Sequence, residues 1–161
     1  MTATRVVFAA FVGLTLSAAL MLSIAPLPDF MHGARPLWLA LVLSFWVFEL
    51  PYTFKISLAW LFGLAQDVLY GTLFGMHALF LVFVVYAVMS FQARLQMFPQ
   101  WQQALFLTLL FGAGQLAMMW LTELTGSPTQ VMQYVLPALI SGLLWPWVYM
   151  CLKFMRKILQ I

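Results

Sequence analysis

Residues 68–93 read VLYGTLFGMHALFLVFVVYAVMSFQA, with no Asp, Glu, Lys or Arg between Asp67 and Arg94. A helix needs about 20 mostly apolar residues to cross a hydrocarbon core of about 30 Å, and this stretch supplies them. Working outward, residues 6–28, 36–48, 56–66, 95–122 and 124–152 are also free of charge. Four segments are long enough to cross: Val6–Ala25, Gly75–Phe91, Gln103–Leu121 and Gln133–Leu152. Pro36–Leu50 and Ile56–Tyr70 are shorter and would reach only about 22 Å at 1.5 Å per residue. They are expected either as short or tilted spans or as a re-entrant pair that dips in and returns. The expected fold is an all-α integral membrane protein, a single polytopic domain over residues 1–161 with six transmembrane helices, the second and third short.

Composition agrees. Of 161 residues, 65% are hydrophobic and 7% charged, against roughly 25% charged in an ordinary soluble domain. With a mean hydropathy of +1.02, there is too little polar surface to coat a water-soluble globule. That excludes a cytosolic enzyme, a disordered tail and a nucleic-acid-binding module. The pI near 9.3 rests on 7 basic against 4 acidic residues, spread without a basic stripe. A lone Cys151 allows neither an intrachain disulfide nor a thiolate metal cluster. The first segment has a single early charge, Arg5, and no small-residue cleavage site beside Pro26-Leu27-Pro28, so it reads as a retained span.

With six segments, Arg5, Lys55, Arg94, Lys153, Arg156 and Lys157 fall on one side and only Arg35 on the other, near Asp29. The positive-inside rule then places both termini in the cytoplasm. Trp38 and Trp120 fall near outer ends and Trp46, Trp101 and Trp147 near inner ends, where amphipathic rings meet headgroups. Trp60 and Trp145 fall slightly deeper. The amide-rich stretch Arg94–Gln103 is expected to lie along the inner surface.

The acids are Asp29, Glu49, Asp67 and Glu123, and the histidines His32 and His77. None has a metal-ligand spacing, a phosphate loop or a nucleophile–base pair. No catalytic, metal or cofactor residue is expected. Three places say more. Gly63, Asp67 and Gly71 recur every four residues, and Gly71 and Gly75 have GxxxG spacing; they read either as a helix-packing motif or as a tight outer turn. Asp67 lies inside a span, where an acid is expensive and usually paired. His77, Arg35 and the amides of the turn are its candidate partners. Pro146, between Trp145 and Trp147, clashes with the Gly142 carbonyl and is expected to kink the last helix, shaping either a docking groove or a bend beside two interfacial anchors. Lys153, Arg156 and Lys157, at i, i+3 and i+4, suit anionic lipid.

The sequence resembles the rod-shape-determining protein MreD family. The resemblance rests on Arg35-Pro36-Leu37-Trp38 as an RPxW element, Phe45-Trp46 and Leu50-Pro51. It also rests on Asp67-x-Leu69-x-Gly71-x-x-x-Gly75, Trp101-Gln102-Gln103-Ala104-Leu105 and Leu144-Trp145-Pro146-Trp147. It covers residues 26–150 or so, in matching order. Phe74 departs from the leucine many members carry before the second glycine. The resemblance implies a non-enzymatic component of the wall-elongation machinery in the bacterial inner membrane. Its implied partners are MreC, the actin-like MreB, the RodA glycosyltransferase and its transpeptidase, with a homo-oligomer also open. The alternative is a small-molecule-binding membrane subunit of a transporter, resembling vitamin-importer subunits. That reading requires convergent polar groups around a midplane pocket, whereas the polar residues inside spans are chiefly Gln66, Asp67 and Gln115.

Overall fold

The computed structural model describes residues 2–25, 33, 35–49, 55–126 and 130–158. Asp29, His32, the Pro26-Leu27-Pro28 break and the Leu50-Pro51 pair lie outside the described residues. Six helices follow in order: α1 Thr2–Ile24, α2 Trp38–Glu49, α3 Lys55–Tyr70, α4 Met76–Leu95, α5 Gln100–Leu124 and α6 Val131–Ile158. Every expected segment forms a helix, and no strand occurs among the described residues. Four helices, α1, α4, α5 and α6, are long and apolar enough to cross a membrane. Most of the helices run past their apolar windows, because polar residues at headgroup depth are as compatible with a helix as apolar ones. The surface stretch expected over Arg94–Gln103 therefore shrinks to residues 96–99. Pro99 stops it: its extended backbone caps α5, and its carbonyl accepts the amides of Gln102 and Gln103 at 3.0 and 3.2 Å. At the other extreme α6 is continuous through both Pro137 and Pro146 and carries the basic tail as its last turns.

Side-chain links show that successive helices alternate in direction. Tyr70 at the end of α3 donates to the Ser23 carbonyl at the end of α1, 2.7 Å away. Lys55 at the start of α3 donates to Gln92 Oε1 near the end of α4 at 2.9 Å, and Gln92 Nε2 reaches the Phe48 carbonyl near the end of α2 at 3.4 Å. The α2–α3 pair thus extends to the far end of α4, which is the arrangement of a crossing pair and not of a shallow re-entrant one. At that same end Gln103 of α5 donates to the Leu95 and Phe98 carbonyls and accepts from Trp145 Nε1 of α6. Arg94, Lys55 and the α6 tail lie at this basic end; Arg35 does not.

The short helix α2 sits inside the bundle, touching α1, α3, α4 and α6. Nine consecutive residues, 39–47, are buried, as expected of a helix apolar on every side. At 12 residues it is about 18 Å long, which suffices because protein, not lipid, surrounds it. Trp46 is wholly buried there and is no interfacial anchor. Its Nε1 donates to Thr15 Oγ1 at 2.9 Å, and Phe8, Phe11 and Phe45 pack edge-on around it. Within lipid the hydrophobic effect does not draw helices together, so close packing and such hydrogen bonds must hold them.

Close approach is supplied by glycines. A Cβ on Gly63 of α3 would collide with the Ala78 backbone of α4, and one on Gly142 of α6 with Thr108 of α5. Leu14, Met21, Leu79, Phe83, Leu109 and Leu143 point outward, as a lipid-facing shell requires.

Candidate functional site

The α3–α4 connection, residues 71–75, is where the chain concentrates polar chemistry. Gly71 and Gly75 adopt φ of 63° and 95°, left-handed conformations that a side chain disfavours. Their spacing is therefore that of a turn, and the helix-packing glycine of this stretch is Gly63. As N-cap of α4, Gly75 has no side chain to satisfy the helix's first amides. Asp67, one turn before the end of α3, supplies the missing acceptor. Its Oδ2 accepts Gly75 N at 2.9 Å. Its Oδ1 accepts His77 N at 2.9 Å and Thr72 Oγ1 at 3.1 Å, and lies 2.8 Å from His77 Nδ1. The carboxyl group thus faces the positive end of the α4 dipole, with His77 Nδ1 within hydrogen-bond reach.

Two of the three expected partners of Asp67, His77 and the turn amides, are engaged together. The third is not: Arg35 lies half-buried ahead of α2, and the side chain that meets the Asp67 carboxylate from α4 is His77. Beside Arg35, Leu37 N donates to Ser141 Oγ of α6 at 2.7 Å; Trp38 opens α2 and packs on the core. The Trp145-Pro146-Trp147 element divides. Trp145 is wholly buried against Phe48 and Tyr149 and bonded to Gln103, whereas Trp147 is 76% exposed. One of the two expected anchors is therefore a core residue. The reason is helical phase: Trp145 is on the face of α6 that meets α5 and α2, and Trp147 is two residues, or about 200°, away.

Beside the turn opens a cavity of about 410 Å³, walled by α3, α4, α5 and α6. Tyr70, Thr72, His77, Gln115, Thr122 and Tyr134 bring hydroxyl, imidazole and amide groups to it. Met76 and Met118 also line a neighbouring apolar groove of about 260 Å³ between α4 and α5, together with Leu79, Phe83, Gly114 and Leu121. The sequence signalled Gln115 only as a polar residue inside a span. Thr72, Tyr70 and Tyr134 carried no signal, because only the tertiary arrangement brings them together. Among the described residues no group of three His, Cys, Asp or Glu side chains could hold a metal ion.

Comparison with known proteins places these features in context. The sequence model of MreD, "rod shape-determining protein MreD", matches residues 4–158. The rod shape-determining protein MreD of Haemophilus influenzae is 32% identical over 139 residues, 86% of this chain and 86% of that one. No solved structure matches the chain.

Proposed function

The chain belongs to the MreD family of rod shape-determining proteins, and on that premise we propose that it is a non-enzymatic scaffold of the wall-elongation complex. It is a multi-pass protein of the bacterial inner membrane. In this reading both termini are cytoplasmic, with the basic end inside and the Asp67 turn outside. MreC is the direct partner, and MreB, RodA and the elongation transpeptidase are reached directly or through it. The observation that supports scaffolding best is how short the two fully described connections between helices are. The α3–α4 and α4–α5 connections are residues 71–75 and 96–99, so contact with partners falls to helix faces and short turns. The interior at mid-depth is filled by α2, which leaves the cavity at one end instead of at the centre where a carrier would place it. Arg35, the one basic residue remote from the basic end, is proposed to contact MreC.

The test is shape. In rod-shaped cells depleted of their own MreD, this chain together with its cognate MreC should restore rod width. Arg35→Ala should accumulate to the same level yet leave cells wide. Full rescue by Arg35→Ala would remove that contact, and failure of the intact pair to restore width at normal levels would remove the shape role.

A further inference from the structure

Gln115 is 9% exposed in the second half of α5, and its amide has no hydrogen-bond partner among the described residues. A polar group that no protein atom meets is satisfied by whatever occupies the space it faces. Other buried polar side chains near this end are paired: Asp67 as described, Ser141 to Pro137, and Ser23 to Ala19. Gln66 Oε1 is also unpaired, but it borders a separate void of about 10 Å³ beside Leu39 and Ala40, too small for a ligand. The Gln115 amide instead lines the large cavity beside the turn.

The lining chemistry defines what could meet it. Tyr70, Thr72, Thr122, Thr125 and Tyr134 contribute hydroxyl oxygens as acceptors, their protons being donated within the protein, and Gln115 offers two donors and an acceptor. His77, with Nδ1 committed to Asp67, has Nε2 left for a further bond. Among the described residues no Lys, Arg, Asp or Glu lines the cavity, and its one imidazole, His77, is already met by Asp67, so no charged side chain is open to a phosphate or an ammonium. An uncharged head that bears a hydroxyl group is the complementary partner. The apolar groove between α4 and α5 lies next to the cavity, with Met76 and Met118 lining both. The half-exposed Leu79, Phe83 and Leu121 on that groove face the lipid. A polar chamber beside an apolar, lipid-facing trough matches the two halves of an amphiphile.

We propose that the cavity holding Gln115 and the α4–α5 groove together form a binding site for a lipid with an uncharged, hydroxyl-bearing head, its chain lying along α4 and α5. The site is independent of the scaffold reading and would exist whichever partner the helices meet.

The probe is a diacylglycerol with a photoreactive diazirine in one acyl chain, offered to the full-length protein in phosphatidylcholine nanodiscs. Crosslinks should concentrate on Leu79, Phe83 and Leu121. A phosphatidylglycerol probe with the same chain should label these positions at least fivefold less. Gln115→Leu, close in volume and free of the unsatisfied amide, should keep its thermal unfolding midpoint yet lose about five- to tenfold in diacylglycerol labelling, the loss expected for one or two hydrogen bonds. Free glycerol, which has the head but no chain, should not compete. Equal labelling by the two lipids, or by the wild type and Gln115→Leu, would overturn the proposal. Competition by millimolar glycerol would also overturn it, by showing a soluble polyol site instead of a lipid one.

Discussion

Asp67 does for α4 what an N-cap side chain does for an ordinary helix, but from the preceding helix across a glycine turn. Its two oxygens take the Gly75 and His77 amides, the Thr72 hydroxyl and the His77 ring. Asp67→Asn keeps the oxygen with most of these bonds but sets an NH2 group against Gly75 N–H. It should cost about 1–2 kcal/mol and still fold. Asp67→Leu leaves the Gly75 and His77 amides without an acceptor and should cost roughly 3 kcal/mol or more, visible as a lower folded yield in detergent. Equal unfolding midpoints for the two variants would show that the carboxylate does not brace the turn. The meeting of Asp67 with His77 was legible because both are within one turn of a glycine-bounded connection. The roles of Thr72 and of the Gly75 amide were not, since they depend on the two positive φ angles and not on residue type. Trp46 and Trp145 misled for a related reason. Position along a span estimates depth in the bilayer, but only helical phase says whether a ring faces lipid or protein.

Among the elements, the glycines do two distinct jobs. Gly63 lets α3 and α4 touch backbone to backbone, whereas Gly71 lets the chain turn, and a Cβ added there would meet nothing within 4 Å. Gly71→Ala should therefore cost about 1 kcal/mol of backbone strain and no packing. Gly63→Ala must push α3 off α4 and should cost about 3 kcal/mol, the upper part of the range for overpacking. The pair is compared by unfolding midpoint in one detergent; a larger loss at Gly71 would contradict the assigned roles. The six helices were legible from gaps between charges, because a charge inside hydrocarbon is costly enough to punctuate the spans. What α2 does was not. An apolar run of a dozen residues reads equally as a short span or a buried core helix, and only its contacts with α1, α3, α4 and α6 decide.

For the molecule as a whole, Lys55, Arg94 and the basic tail gather at one end while the Asp67 turn and its cavity occupy the other. Lys55 is buried against Gln92, so sidedness is better read at Met97 and Leu124, which are 87% and 85% exposed. In a Cys151→Ala background, an impermeant maleimide added to spheroplasts should label Leu124→Cys and spare Met97→Cys. The reverse pattern would invert the proposed topology. The family was legible in ordered short motifs, although a motif of apolar residues says little about which face meets a partner. If the bundle works by holding another membrane protein, the most direct measurement is co-purification of the full chain with MreC in detergent, with the mass of the complex determined. A stable complex of fixed stoichiometry is the predicted result. Recovery of this chain free of MreC, with both proteins folded and present in excess, would contradict it.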